Sequence, residues 1–368
     1  MLVTHDPCAT SAGRSCCSSE AGLSPYQSTR LSGYDAVSCE PGGAMRRRDF
    51  IAALGIAVAW PIGLRAQQMP VIGILSSRTL DKNGPLLGAF HRGLAENGYT
   101  EGRNVVIEYR SADGDYTRLP ALAAELASRP VDVLVSFGGE PAAVAAKAAT
   151  SKIPTVSTIG TDPVRLGLAA SDNRPGGNTT GVNLQTGLAE AKRVGLLREL
   201  VPQAVTIGIL LNPGNQQFRK QMNDIEQASQ ATKLTLRVLR AATEGEINTA
   251  FDTIVQQRIS GLVVGADAFF TDRGKQIVAL AARHAVPAIY QFREFTQAGG
   301  LASYGIRLTD AYHQSGVYVG RILKGAVPGE LPFVRIDRFE LVINLRTAKA
   351  LGLVLSNSMQ LLADELIE

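Results

Sequence analysis

Residues 71–77 read VIGILSS, and residues 206–213 read TIGILLNP. Each stretch is a short apolar run that stops at polar or turn-forming residues, which is typical of a strand buried on both faces of a parallel sheet. After each run the chain alternates between helical patterns and further short apolar strands. The two similar openings and the alternation predict an α/β protein with two doubly wound parallel-sheet lobes and a ligand cleft between them.

The alternation of the first series breaks at the turn-forming sequence Pro175-Gly176-Gly177-Asn178, and a second series begins after it. Strands are predicted in the first series at 71–75, 105–109, 131–135 and 153–156, with an exit at 179–184. Strands are predicted in the second series at 206–211, 234–239, 261–265, 287–290 and 300–304.

A secretory signal is predicted ahead of both series. The basic sequence Arg46-Arg47-Arg48 precedes an apolar run from Ile51 to Trp60 and a small residue at Ala66, and the string RRDFI at 47–51 resembles a twin-arginine signal. The run is shorter than the roughly 20 apolar residues of a membrane span. We therefore expect residues 1–44 to be a non-native or disordered extension and residues 45–66 to be a signal peptide. The alternative is a basic N-terminal helix on a cytoplasmic protein.

All four cysteines, Cys8, Cys16, Cys17 and Cys39, precede the expected signal. The exported chain is therefore expected to have no disulfide, no cysteine-bound metal and no lipid-modified cysteine. It is expected to be a soluble periplasmic monomer without stable membrane insertion. The net charge is +4 and no Lys/Arg cluster alternates with aromatic residues, so a nucleic-acid partner is not expected.

Candidate ligand contacts follow from where such sheets bind ligands. Ligands lie beyond the carboxyl ends of parallel strands, where the N–H groups of helix starts converge. Two such lobes can close around a ligand by hinge motion. The candidates are the residues after the predicted strands, namely Ser76, Ser77, Gly138, Gly139, Glu140, Thr161, Asp162, Asn212, Asp267, Tyr290 and Tyr304.

Each candidate also has a purely structural interpretation. The serines and Asp162 suit helix caps, the glycines suit a turn, and Asn212 before Pro213 suits an Asx turn. Glu140 can favour a helix N-terminus without touching a ligand, and the two tyrosines can be core residues. Asp267 ends a buried strand, where we expect it to pair with a ligand ammonium. A ligand carboxylate would meet N–H groups and hydroxyls near Ser77, Gly139 and Thr161.

Several strings together resemble the ABC transporter substrate-binding protein family of the type I periplasmic binding fold, which includes tryptophan-binding-like members. They are IPTVSTIGTDPVRLGL at 153–168, PGGNTTGVN at 175–183, IGILLNPGN at 207–215, GLVVGADAFF at 261–270, VPAIY at 286–290, AGGLASYG at 298–305, RILKGAVPGELPF at 321–333 and FELVINLRTAKALGL at 339–353. Glu140 departs from the resemblance, because many relatives have threonine before the Pro-Ala-Ala string.

The resemblance implies a topology, a function and partners. The chain would cross between lobes near 184, 306 and 329, so that residues 67–184 and 306–328 form lobe 1 and residues 185–305 and 329–368 form lobe 2. The protein would deliver a small molecule, such as an amino acid or an aromatic amino-acid-like compound, to an ABC permease and ATPase. No cofactor and no chemistry on the ligand are implied.

Two alternatives remain open at the level of sequence. One is a periplasmic sensor module that docks on a receptor. The other is an α/β enzyme, but no phosphate-binding loop or nucleophile elbow is present. His91, His284 and His313 lie in predicted helices without a metal-ligand partner four residues on. No catalytic or metal-binding residue is therefore predicted.

Overall fold

The structure is a computed structural model that describes residues 69–81, 84–223, 225 and 234–368, with the side chains of 187 and 188 left aside. The expected extension at 1–44 and the expected signal peptide at 45–66 lie outside the described residues. Within the described part, residues from Ala66 onward belong to one compact unit.

The first sheet has six strands in the order β11-β5-β4-β3-β1-β2, and every described pairing in it is parallel. Its strands and helices are β1 (Val71–Ser76), α1 (Pro85–Ala95), β2 (Val106–Ser111), α2 (Leu119–Ala127), β3 (Val133–Phe137), α3 (Glu140–Ala149), β4 (Thr155–Ile159), β5 (Thr179–Asn183), α9 (Leu308–Leu323) and β11 (Val334–Arg335). A 3₁₀ turn at Tyr116–Arg118 precedes α2.

The second sheet has seven strands in the order β13-β12-β10-β9-β8-β6-β7, and only the β10–β12 pairing among the described residues is antiparallel. Its elements are α4 (Thr186–Leu200), β6 (Thr206–Leu211), β7 (Thr235–Arg240), α5 (Glu244–Gln256), β8 (Gly261–Val264), α6 (Ala268–Asp272), α7 (Gly274–Arg283), β9 (Ala288–Tyr290), α8 (Arg293–Gln297), β10 (Ala302–Ile306), β12 (Phe339–Asn344), α10 (Leu345–Ala350), α11 (Asn357–Leu362) and β13 (Glu365–Ile367).

The two quoted runs form interior strands of their sheets, each next to an edge strand. β1 lies between β2 and β3, and β6 lies between β7 and β8. Ile72, Ile74 and Leu75 are fully buried, and so are Ile207 and Leu210. Helices cover both faces, which explains why the runs are continuously apolar rather than alternating. The predicted fold class is therefore confirmed.

Close backbone contact fixes α9 on the first lobe. A Cβ at Gly93 of α1 would lie 2.0 Å from the carbonyl oxygen of His313, and one at Gly316 would lie 2.1 Å from the carbonyl oxygen of Phe90. Only glycine permits the two helices to approach this closely. Helix α9, which follows a strand of the second sheet, is thereby held against the first.

The chain passes from the first sheet to the second between β5 and α4, returns between β10 and α9, and leaves again after β11. The last passage differs from the prediction near residue 329. Val334 and Arg335 pair with β5, and the Ile336 N–H donates to the Asn183 carbonyl, so the assignment of 329–336 to lobe 2 is wrong. The edge of the first sheet offered these residues hydrogen-bond partners that the sequence pattern does not show.

No helix of the described residues combines the length and the apolar composition that a membrane crossing requires.

Candidate functional site

Two adjoining cavities lie between the sheets, at the carboxyl ends of their strands. The inner cavity has a volume of about 50 Å³ and the outer one about 280 Å³. The inner cavity is lined by Arg78, Gly138, Gly139, Glu140, Thr158, Gly160, Leu184, Thr186, Asn215, Ala266, Asp267, Ala268, Thr271, Phe292, Leu308 and Tyr312. The outer cavity is lined by Glu140, Gly160, Thr161, Asp162, Arg165, Asp172, Asn183, Gln185, Thr186, Gln217, Lys220, Gln221, Ala266 and Arg335. Elements of both sheets thus contribute to each cavity.

Asp267 follows β8 and caps the N-terminus of α6. Its Oδ1 accepts hydrogen bonds from the Asn212 side chain at 3.0 Å, from the Tyr116 hydroxyl at 3.0 Å and from the Phe269 N–H at 2.9 Å. Its Oδ2 accepts one from the Asn215 side chain at 2.7 Å. Burial raises the pKa of the Asp267 carboxyl, and these four hydrogen bonds oppose that rise.

The Tyr116 bond is the one that crosses the cleft, because Tyr116 belongs to the first lobe. Burial raises the pKa of the Tyr116 hydroxyl well above its ordinary value, and the charge of Asp267 raises it further. The hydroxyl is therefore protonated and donates to the carboxylate. This hydrogen bond joins the lobes directly.

Glu140 is the first residue of α3 and reaches the cavities from the other lobe. It is 7% exposed, and its Oε1 accepts the Gly160 N–H at 2.9 Å. Burial raises the pKa of the Glu140 carboxyl, the N–H groups of Glu140 and Gly160 oppose that rise, and the charges of Asp267 and Glu190 add to it. Both cavities are lined by this one carboxylate.

Gly138 and Gly139 connect β3 to α3 with φ values of +89° and +86°. Both values lie in the left-handed region, which glycine adopts without strain. A Cβ at Gly138 would lie 2.0 Å from the Ser77 Oγ, which donates to the Gly138 carbonyl at 2.7 Å. The pair of glycines therefore lets the backbone itself form the wall of the inner cavity and presents the start of α3 to it.

A second contact between the lobes involves Arg78 and Asp272. The Arg78 Nε donates to Asp272 Oδ1 at 2.8 Å, and the Thr79 N–H donates to Asp272 Oδ2 at 2.7 Å. Burial lowers the pKa of Arg78, but the charges of Tyr312 and Asp272 outweigh it and the net shift is upward. Asp272 thus holds the loop after β1 against the last residue of α6.

Tyr312 of α9 forms the aromatic part of the inner wall. Its ring stacks on Phe137, with the centroids 4.0 Å apart and the planes at 9°. Burial raises the pKa of the Tyr312 hydroxyl, while the neighbouring Arg78 opposes that rise. The stack fixes the ring orientation, so Tyr312 offers a planar apolar surface next to a guanidinium.

The structure brings six of the eleven sequence candidates to the cavities, namely Gly138, Gly139, Glu140, Thr161, Asp162 and Asp267. The remaining five are not among the lining residues, namely Ser76, Ser77, Asn212, Tyr290 and Tyr304.

Three of those five candidates are engaged in supporting the strand-end loops. The Ser77 hydroxyl donates to the Gly138 carbonyl, and the Ser76 Oγ accepts the Arg78 N–H at 3.1 Å. The Asn212 side chain holds Asp267 and accepts the Gly214 N–H at 2.9 Å, which is the Asx turn. These polar side chains therefore orient the loops that form the cavity wall.

The two tyrosines pack away from the cavities. Tyr290 is fully buried, stacks on Phe295 at 4.8 Å, and has no hydrogen-bond partner for its hydroxyl among the described residues. Burial raises the pKa of that hydroxyl. Tyr304 stacks on Phe339 at 5.5 Å. Tyr290 has the core position that was the structural alternative for it, and Tyr304 is half-buried against the core of the second lobe.

Sequence reasoning missed the contributors that come from loops and from the returning helix. Arg78 lies two residues beyond β1, and Asn215 and Thr271 lie several residues beyond their strands. Thr186 is the first residue of α4, and Gln185 before it has a φ of +50°. Tyr312 had no local signal, because its position depends on α9 returning to the first sheet.

Among the described residues, no group of three or more histidine, cysteine, aspartate or glutamate side chains is placed to hold a metal ion. The arrangement instead offers opposed walls, hydrogen-bonding groups and carboxylates from both lobes.

Comparison with known proteins agrees with this architecture. The family model described as ABC transporter substrate binding protein matches residues 69–367. A tyrosine-binding protein of Clostridioides difficile (strain R20291) is 28% identical over 264 residues, which are 72% of this chain and 75% of that protein.

Solved structures share the fold. A conserved domain protein from Vibrio cholerae has a TM-score of 0.73 at 25% identity, covering 81% of this chain and 100% of its own. An ABC domain in complex with L-Trp from Streptococcus pneumonia has a TM-score of 0.73 at 24% identity, covering 81% of this chain and 99% of its own.

Proposed function

This chain belongs to the ABC transporter substrate binding protein family, and we propose that it is the periplasmic component that delivers a small solute to an ABC permease and ATPase. The solute is an amino acid or an aromatic amino-acid-like compound, and the protein performs no chemistry on it. The relatives that support this ligand class are the tyrosine-binding protein and the domain in complex with L-Trp.

The observation that carries the proposal is the pair of cavities lined by the strand ends of both sheets. A ligand in them touches Glu140 and Gly139 from one lobe and Asp267 and Asn215 from the other. Such a ligand gains its full set of contacts only when the lobes are together. It therefore shifts the population from an open to a closed form, and the closed form is the one presented to a transporter.

The aromatic component of the ligand class has a matching surface. Tyr312, Phe292 and Leu308 line the inner cavity beside polar groups. Binding sites for small molecules commonly combine apolar walls with a few placed polar groups. An aromatic side chain against this wall leaves the polar groups to orient the amino-acid end.

Native mass spectrometry of the protein purified from its own host tests the proposal. We expect a retained mass in the range of a single amino acid, and isothermal titration calorimetry with L-tyrosine and L-tryptophan after ligand removal should then show saturable binding at one site. Conversion of the bound compound to a product would favour an enzyme. Absence of both a retained solute and binding of any amino acid would contradict the proposed ligand class.

A further inference from the structure

Glu140 and Asp267 are buried carboxylates that face the same inner cavity from opposite lobes. Each is 7% exposed, and both line the inner cavity. They are close enough for the charge of Asp267 to raise the pKa of Glu140. Closure of the lobes therefore brings two acidic groups to one small space.

Other buried carboxylates of the described residues have cations beside them. Asp272 has Arg78 at 2.8 Å, and Glu340 has Arg293 at 3.1 Å and Arg307 at 2.7 Å. Among the described residues no lysine, arginine or histidine nitrogen lies within 4.0 Å of a Glu140 or Asp267 carboxylate oxygen. Their hydrogen-bond partners among the described residues are neutral donors, which orient a carboxylate without neutralising it.

A buried charge without a counter-charge is unfavourable, and two like charges across a closed cleft repel each other. The hydrogen bonds of Asp267 engage Oδ1 three times and Oδ2 once, so Oδ2 retains accepting capacity. The one guanidinium of the inner wall is held by Asp272, so the wall offers a ligand anion no unengaged cation. The unbalanced charge of this cavity is negative.

We propose that the solute carries a protonated amine that lies between Glu140 and Asp267, and that Glu140 determines the preference for such a cation. The inference rests on the proposed function, since it names the charge of the solute in that same site. One ammonium between carboxylates of the two lobes removes their repulsion and joins the lobes. An open form has the two carboxylates separated and gains from the ammonium at one of them only.

Three matched compounds and one conservative variant test the preference. Tyramine keeps the amine of L-tyrosine without its carboxylate, and 3-(4-hydroxyphenyl)propanoate keeps the carboxylate without the amine. Calorimetry on the wild type should show L-tyrosine and tyramine binding and the propanoate binding at least tenfold more weakly. In Glu140→Gln, whose amide oxygen still accepts the Gly160 N–H, L-tyrosine and tyramine should bind at least tenfold more weakly. The matched control is Glu199→Gln, which removes one charge from the exposed end of α4.

A ligand-free readout accompanies the titrations. In the ligand-free protein the repulsion between Glu140 and Asp267 opposes closure, so Glu140→Gln should increase the population of the closed form and lower the radius of gyration measured by small-angle X-ray scattering at neutral pH. Glu199→Gln should leave the radius of gyration unchanged. A larger or unchanged radius of gyration in Glu140→Gln overturns the inference, because the two carboxylates then do not oppose closure.

The ligand titrations also test the inference. Binding of the propanoate as tight as tyramine, or equal affinities of the wild type and Glu140→Gln for L-tyrosine, overturns the inference while the proposed function stands. If none of the three compounds binds, the aromatic amino-acid ligand class fails. The scattering comparison then decides the inference independently.

Discussion

The two ends of helix α6 carry an aspartate each, and both aspartates reach across to the first lobe. Asp267 before the helix accepts four hydrogen bonds from neutral donors, one of them from Tyr116. Asp272 at its last residue accepts the Arg78 guanidinium and the Thr79 N–H. Side chains of the same type, five positions apart, therefore have different electrostatic surroundings.

Because their surroundings differ, the two aspartates have different roles in the closed form. Asp272 is not among the cavity-lining residues, and it joins the lobes through an ion pair with Arg78 that needs no ligand. Asp267 lines the cavity with its charge unbalanced by any protein cation among the described residues. One end of the helix therefore stabilises closure, and the other provides a charge for the ligand to neutralise.

Asp267→Ala should have the largest effect on binding. A hydrogen bond to a charged group contributes about 1.5–3 kcal/mol, and about 1.4 kcal/mol corresponds to one decade in affinity. We expect the solute identified by native mass spectrometry to bind at least tenfold more weakly, as measured by calorimetry. The variant also leaves the Asn212 and Asn215 amides without an acceptor, so circular dichroism should confirm that it remains folded. Unchanged affinity would remove Asp267 from the ligand site.

Asp272→Ala should have the next largest effect, through closure rather than through ligand contact. Loss of the ion pair with Arg78 favours the open form, and apparent affinity falls in proportion to the population of the competent form. We expect roughly tenfold weaker binding, which is about 1.4 kcal/mol, and a larger radius of gyration of the ligand-free protein in small-angle X-ray scattering.

The control for Asp272→Ala is Arg129→Ala, which breaks ion pairs with Glu108 and Glu125 within the first lobe. Surface pairs of this kind contribute roughly 0–1 kcal/mol. The control should change neither the radius of gyration nor the affinity. If Asp272→Ala behaved like this control, the ion pair would not be a closure contact.

Tyr116→Phe should have a smaller effect, because it removes one of the four hydrogen bonds of Asp267 and keeps the aromatic ring. The ligand loses no direct contact and Asp267 keeps its three other donors, so we expect roughly fivefold weaker binding, which is about 1 kcal/mol. Calorimetry on Tyr116→Phe, on Asp267→Ala and on the variant with both substitutions measures the coupling free energy between the two side chains. Strict additivity of the two substitutions would show that the hydroxyl and the carboxylate do not act on closure together.

The smallest effect expected is that of pH. Burial raises the pKa of both Glu140 and Asp267 in the folded protein. Acids with a raised folded pKa contribute stability that is present below their ordinary pKa of about 4 and is lost as the pH rises through the folded value. Thermal melts of the ligand-free protein should therefore show this contribution increasing as the pH falls from neutrality toward about 4. Glu190 and Tyr116 also face these carboxyl groups, so every variant compared in these melts must keep both residues.

Ligand binding should respond to pH in the opposite direction. Protonation of Glu140 and Asp267 removes the charges that a ligand ammonium neutralises, so affinity for an amine should fall over the same pH range. Glu140→Gln should flatten both profiles. If stability and affinity changed with pH in the same direction, the titrating group would be a closure contact and not the cavity charge. That result would contradict the different roles of the two ends of α6.

The fold class and the ends of the strands follow from the amino-acid sequence alone. The continuous apolar runs at 71–75 and 206–211 predict strands covered on both faces, because only a parallel sheet between helices buries every side chain of a run. Polar residues directly after such runs lie at the carboxyl edge, which is why Gly138, Glu140 and Asp267 were found in advance. In these cases the geometry of a single strand links the apolar run to the position of the residues that follow it.

Tertiary structure decided which of those residues face a cavity and which of them support it. Ser77 and Asn212 follow strands as closely as Asp267 does, yet their polar atoms are engaged by Gly138 and by Asp267 itself. Tyr312 enters the site because α9 returns to the first sheet, and Arg78 is held there by Asp272, 194 residues further along the chain. Such pairings depend on how two lobes meet, and no periodicity within one strand or helix contains that information.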